Sequence, residues 1–129
     1  MSEVLQDFLS YIEQCRNVYQ TAREIVSLED KRLQDLLHEL EFSADENEKR
    51  RAATKLMQSR RERRQYKDEV KRYGRLVEFF NEPAQKNMLH KMYQLLGQQR
   101  KEEEYLNGER TYYPRVPKQT KDGENECNI

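Results

Sequence analysis

Leu5, Phe8, Ile12, Cys15, Tyr19, Ala22 and Val26 repeat at alternating steps of three and four residues. That spacing places all seven on one side of an α-helix and makes a heptad seam. A seam of this kind has to be covered by another helix, so it predicts an all-α, mainly helical assembly before any other residue is considered. Composition agrees. Of the 129 residues 35% are hydrophobic, 37% are charged and none is Trp, which is too little apolar matter for a thick, many-layered core. Four Gly and three Pro are too few for the many turns of a β-sandwich or barrel.

The pattern predicts about four helices in an antiparallel assembly. Ser2 reads as the N-cap of the first, which runs to Val26. Ser27-Leu28-Glu29-Asp30 reads as a fresh start, a hydroxyl followed by acids in a first turn, and the second helix carries Leu33, Leu36, Leu37 and Leu40 to about Phe42. Ser43-Ala44-Asp45-Glu46 has the form of a capping box and opens a long third helix reaching about Phe80. Its C-terminal half has two apolar rows, Tyr66, Tyr73 and Phe80, and Val70 and Val77, with Gly74 as a point of close helix approach or a kink. Asn81-Glu82-Pro83 breaks the run. A fourth helix with Met88, Leu89, Met92, Leu95, Leu96 and Leu106 ends at Asn107-Gly108. Arg110 to Val116 is β-branched and aromatic, which predicts an extended arm or edge strand confined there by Pro114. Residues 1–116 are expected to form one domain, and the polar residues 117–129 a disordered tail.

The net charge of zero hides a segregation. Residues 1–48 hold 4 basic and 12 acidic residues, residues 49–75 hold 12 and 3, and residues 76–129 hold 8 and 9. The middle block is a cationic element that attracts phosphate groups or the acidic first third of the same or a neighbouring chain. With Tyr66 at zero on the helical wheel, Val70, Tyr73 and Val77 fall within about 40°, and Arg60, Arg64, Lys67, Lys71 and Arg75 about 100–180° away. One stripe packs and the other presents cations, with arginine forks suited to bidentate phosphate contact. The ordinary reading is a solvated face laced by Glu62, Asp68 and Glu69.

A second constellation lies in the arm, where Arg110 and Arg115 bracket Tyr112 and Tyr113. Arginine beside exposed aromatics holds a phosphate while stacking on a base, with Arg64 and Arg100 as helpers. The competing reading is that the tyrosines fix the arm to the helices. Catalytic signals are sparse. Asp35 and His38 share a helical face, but Asn87 precedes His90 where a second carboxylate would be needed for a paired-carboxylate metal bundle, so no metal site and no cofactor are expected. Cys15 reads as a small core residue, and two cysteines make no disulfide framework. Glycine-rich phosphate loops and nucleophile elbows are absent from the sequence. No run approaches 18 apolar residues, so no membrane partner is expected, and the opening MSEVLQDFLS lacks the pattern of a signal peptide.

The segments KRLQDLLHELEF (31–42), SRRERRQYKDEV (59–70) and LLGQQRKEEEYLNGERTYYPRV (95–116) resemble small helical proteins of temperate phages and prophages of Gram-positive bacteria, over roughly residues 20–116. In size and in its arginine-rich C-terminal part the chain also resembles oligomeric sponges of the Thoeris anti-defence kind, which sequester nucleotide immune signals. That resemblance implies a non-enzymatic homo-oligomer in the bacterial host cytoplasm, capturing a small phosphorylated, cyclic nucleotide. Two other readings stand beside it. One is a nucleic-acid binder using the stripe of residues 60–75. The other is a protein-interaction inhibitor whose seam from Leu5 to Val26 docks on a host factor.

Overall fold

A computed structural model describes residues 1–116 as three helices: α1, Ser2–Glu41; α2, Glu46–Asn81; and α3, Pro83–Asn107. The all-helical expectation holds, with three helices in place of four. The two helices expected before residue 42 are one 40-residue rod. The seam explains why. Val26, Glu29, Leu33, Leu36 and Leu40 keep the three-four step across the expected boundary, so the Ser27–Asp30 segment stays helical. Glu29 fills a core position of that heptad, only 2% exposed, and its acidity gave the segment the look of a helix start.

Caps also sit elsewhere than expected. Met1 is the N-cap of α1, and Ser2 is already helical. The hydroxyl of Ser43 donates to Glu39 O at 2.6 Å, so it serves the end of α1. Asp45 is the N-cap of α2, accepting from the Glu48 N–H at 2.8 Å, while the Glu48 carboxylate accepts from the Ala44 N–H at 3.0 Å. The box is therefore Asp45 with Glu48, two residues beyond Ser43. α2 continues through Gly74, where an added Cβ would meet Tyr19 at an ordinary 3.6 Å.

α1 and α2 form an antiparallel helical hairpin. Its register is read from Tyr19 beside Gly74, Glu29 on Ser59, Asp30 on Arg63 and Glu39 on Lys55. The α2 side of the interface is the heptad Ala52, Ser59, Tyr66, Tyr73 and Phe80, with Phe80 edge-on to Phe8 at 6.3 Å. Halfway along lies a polar layer. The Ser59 hydroxyl donates to Glu29, Arg32 Nη1 reaches the same carboxylate at 2.7 Å, and Arg63 Nε lies 2.5 Å from Asp30.

Glu82 is the single extended residue between α2 and α3, with Pro83 at the first position of the new helix, where its missing N–H costs nothing. Arg16 Nη2 donates to Phe80 O at 3.0 Å and satisfies one of the last carbonyls of α2. α3 then covers the N-terminal part of α1 with opposite chain sense, Arg100 meeting Gln6 and Glu103 meeting Ser2. Leu9 and Ile12 of α1 and Leu89 and Leu96 of α3 are the buried centre there, ringed by Leu5, Leu76, Phe80 and Met92. Each leucine fully withdrawn from water contributes about 1.5–3 kcal/mol.

The expected edge strand is absent. Residues 109–116 form irregular, exposed chain, with no strand among the described residues. A lone extended segment has no ladder to complete its hydrogen bonds, so backbone amides stay with water. The expected tail, 117–129, lies outside the described residues. Among the described residues no helix is long and apolar enough to cross a membrane.

Candidate polyanion-binding face on the second helix

α2 owes its place to the apolar rows that pack on α1, and the same helical period fixes what its opposite face presents. Arg60, Arg64, Lys67, Lys71 and Arg75 are all exposed. They lie on one side over 15 residues, about 22 Å of rod. The ion pairs of the described residues engage the Met1 ammonium, Arg16, Arg32, Lys55, Arg63 and Arg72, and none of the five. The acids expected to neutralise the stripe lie elsewhere in part: Glu69 is held by Arg72, and Glu62 borders a hollow with Arg32 and Lys55. Lys49, also exposed and without an ion pair among the described residues, lies three turns before Arg60 on the same side. Its 11-residue spacing was the signal that could have placed it in the row.

Arg64 sits in this row and not near the arm. Its neighbour Arg63 pairs with Asp30, whereas Arg100 Nη2 donates to Gln6 Oε1 at 2.6 Å. Residues 6 and 30 are about 36 Å apart along α1. The six residues singled out from sequence are thus divided between two places. Arg110 stacks over Tyr105 at 5.6 Å, and Arg115, Tyr112 and Tyr113 face solvent, Tyr113 at 77% exposure. Without a strand, the expected sorting of these groups onto two faces does not arise. Arg100 lines an open hollow of about 470 Å³ at the end of α3, whose other walls include Glu103 and Glu104. Those carboxylates oppose an anionic guest.

Glu103 has a role that the sequence did not disclose. It accepts from the Ser2 hydroxyl and from the Ser2 backbone N–H at 3.1 Å, standing in for a local cap at the start of α1. The Ser2 hydroxyl first, then the Ser2 amide, hold its carboxyl down at about 2, with Gln99 assisting. Cys15 is buried, as a core seam residue. His38 packs edge-on against Phe42 at 4.9 Å. No group of three or more His, Cys, Asp or Glu able to hold a metal ion occurs among the described residues.

Comparison of the chain with protein-family models, with curated proteins and with solved structures finds no match.

Proposed function

We propose that this protein binds the phosphate backbone of a nucleic acid through the cation row of α2. The observation that carries this reading is five exposed guanidinium and ammonium groups on one side of a helix, engaged by no carboxylate among the described residues. Rigid helix placement lowers the entropic cost of ordering the row, and each phosphate neutralised releases condensed counterions. Five contacts give a slope of log affinity against log salt near −4.5, hence roughly a 500-fold loss between 50 and 200 mM salt. Titration of labelled DNA and RNA duplexes and single strands at several salt concentrations tests this. Arg64→Ala and Lys71→Ala are each expected to weaken binding on all sequences alike and to flatten the slope by about one. A slope near zero, or variants that bind as the parent does, sinks the reading.

A second reading is capture of a cyclic or linear phosphorylated nucleotide by the arm, without catalysis, as a phage anti-defence sponge. Its support is the guanidinium of Arg110 stacked on Tyr105, together with Tyr112, Tyr113 and Arg115 left open. A binding crevice for it would have to be completed by another copy, since a single chain sets these groups in solvent. Arg110→Ala with Arg115→Ala abolishes nucleotide retention in this case and leaves duplex binding intact. The seam from Leu5 to Val26 is largely spent on α2 and α3, which weakens the reading of that seam as a docking face for a host factor.

A further inference from the structure

Basic residues fall in adjacent pairs along α2, eleven positions apart: Lys49-Arg50, Arg60-Arg61 and Lys71-Arg72. Eleven residues are close to three full turns, so each pair stands about 16 Å further along the rod and only about 20° round from the last. Ser59 faces α1, and with it at zero on the wheel three lines run between residues 49 and 67. Lys49, Arg60 and Lys67 lie about 80–100° round, Ala53, Arg64 and Met57 about 120–160°, and Arg50 and Arg61 about 180–200°. Each of the first two pairs therefore straddles a middle line that points away from α1. Both outer lines are exposed, and no ion pair among the described residues engages their cations. Met57 on the middle line is 58% exposed although it is apolar. Acids enter this face only at its ends, Glu46 before the first pair and Asp68 after Lys67. The third pair falls beyond Asp68, and Glu69 holds its Arg72.

We infer that residues 49–67 of α2 lie in the major groove of a B-form DNA duplex, with the two outer lines on the phosphates of opposite strands; this rests on the reading of α2 as a phosphate-backbone binder. Three properties select that occupant. The first is the pairing of edges. Cations on both sides of one helix call for phosphates on both sides, which the two walls of a groove supply and a single strand does not. A helix 10–12 Å across fits a B-form major groove about 12 Å wide, whereas the major groove of duplex RNA is deep and too narrow. The second is the lack of a stacking platform. None of the residues on the three lines is aromatic, and Tyr66 is half-buried on the α1 side, so unpaired bases find nothing to stack on. The third is clearance. α3 runs from the end of α2 towards Ser2, away from the hairpin turn, and meets α2 at Leu76 and Phe80. Only α1 stands behind residues 49–67. Arg64 is the single polar group on the middle line, so sequence preference is expected to be slight.

Fluorescence anisotropy with a labelled DNA duplex of about 20 base pairs, the RNA duplex of the same sequence and the single DNA strand tests this, with protection of guanine N7 from dimethyl sulfate as the groove-specific readout. The DNA duplex is expected to bind at least about tenfold more tightly than either other probe, with guanine N7 protected. Arg50→Ala with Arg61→Ala is expected to weaken duplex binding about tenfold and to flatten the salt slope by about two, although neither residue belongs to the cation row from Arg60 to Arg75. Both positions are exposed, so the helical circular dichroism is expected to be unchanged. Met57→Glu is the second variant. It leaves every cation in place, sets a carboxylate on the groove floor and is expected to abolish N7 protection. Equal affinity for the three probes, an unprotected N7, or an Arg50 and Arg61 variant that binds as the parent does overturns the groove inference and leaves backbone binding standing. Failure to bind any of the probes overturns the backbone reading, and the groove inference with it.

Discussion

At the scale of single residues the contact with the clearest chemical signature is Glu103 on Ser2. Here a carboxylate from one end of α3 does the work that a side chain from the residue before the helix ordinarily does. Its folded value is near 2, against an ordinary 4.5. A depressed carboxyl contributes stability that is fully present above its unfolded value and is lost as pH falls through the folded one. Glu103→Gln should therefore destabilise the protein most at pH 5 and above. The gap between parent and variant should narrow between about pH 4.5 and 2, and close below. Urea unfolding of both proteins at a series of pH values reads this directly. A gap that does not change with pH would remove the charge from the account.

At the scale of elements, the apolar periodicity was legible and the polar interruptions were not. The row Leu5 to Val26 announced the inner face of α1, and Asn81-Glu82-Pro83 announced the break before α3. Glu29 misled because an acid after Ser27 and Leu28 satisfies the local rule for a helix start. Its partner Ser59 lies 30 residues away, and only the hairpin brings the two together. Ser43 misled in the same way, since both ends of a turn favour hydroxyls and only geometry shows which end it serves. The cation row was readable because exposure on α2 follows from the same wheel that places its apolar rows. The arm was not, because extended propensity without a pairing partner makes no strand. The polar layer of Glu29, Ser59 and Arg32 fixes the hairpin register at a cost in stability, as buried polar residues do in other paired helices. Glu29→Leu with Ser59→Ala is expected to raise the unfolding free energy by about 1–3 kcal/mol. Glu29→Ala alone, which strands the Ser59 hydroxyl and leaves a void, should lower it by about 2 kcal/mol. Denaturant titration separates these outcomes, and a double variant less stable than the parent would show that the layer stabilises as well as aligns.

Across the whole molecule, the segregated charge acts on folding through distances that only the fold creates. Repulsion among the acids of α1 and among the cations of α2 is local in sequence and persists in the unfolded chain. Attraction between the two helices, at the roughly 8–10 Å usual for packed helices, exists only once the hairpin has closed. Asp30 with Arg63 and Glu39 with Lys55 are its closest members, both partly exposed and each modest alone. The Debye length shrinks from about 30 Å at 0.01 M to about 3 Å at 1 M, so salt removes the folded-state attraction and spares the buried seam. The melting temperature at pH 7 and fixed protein concentration should therefore fall by roughly 3–6 °C between 20 mM and 0.5 M NaCl, equivalent to about 1 kcal/mol. Substituting Asp30 and Glu39 with Asn and Gln should lower the low-salt melting temperature and flatten this dependence. A melting temperature that rises with NaCl would mean that repulsion within each helix outweighs attraction between them. The hairpin would then be held by its seam alone.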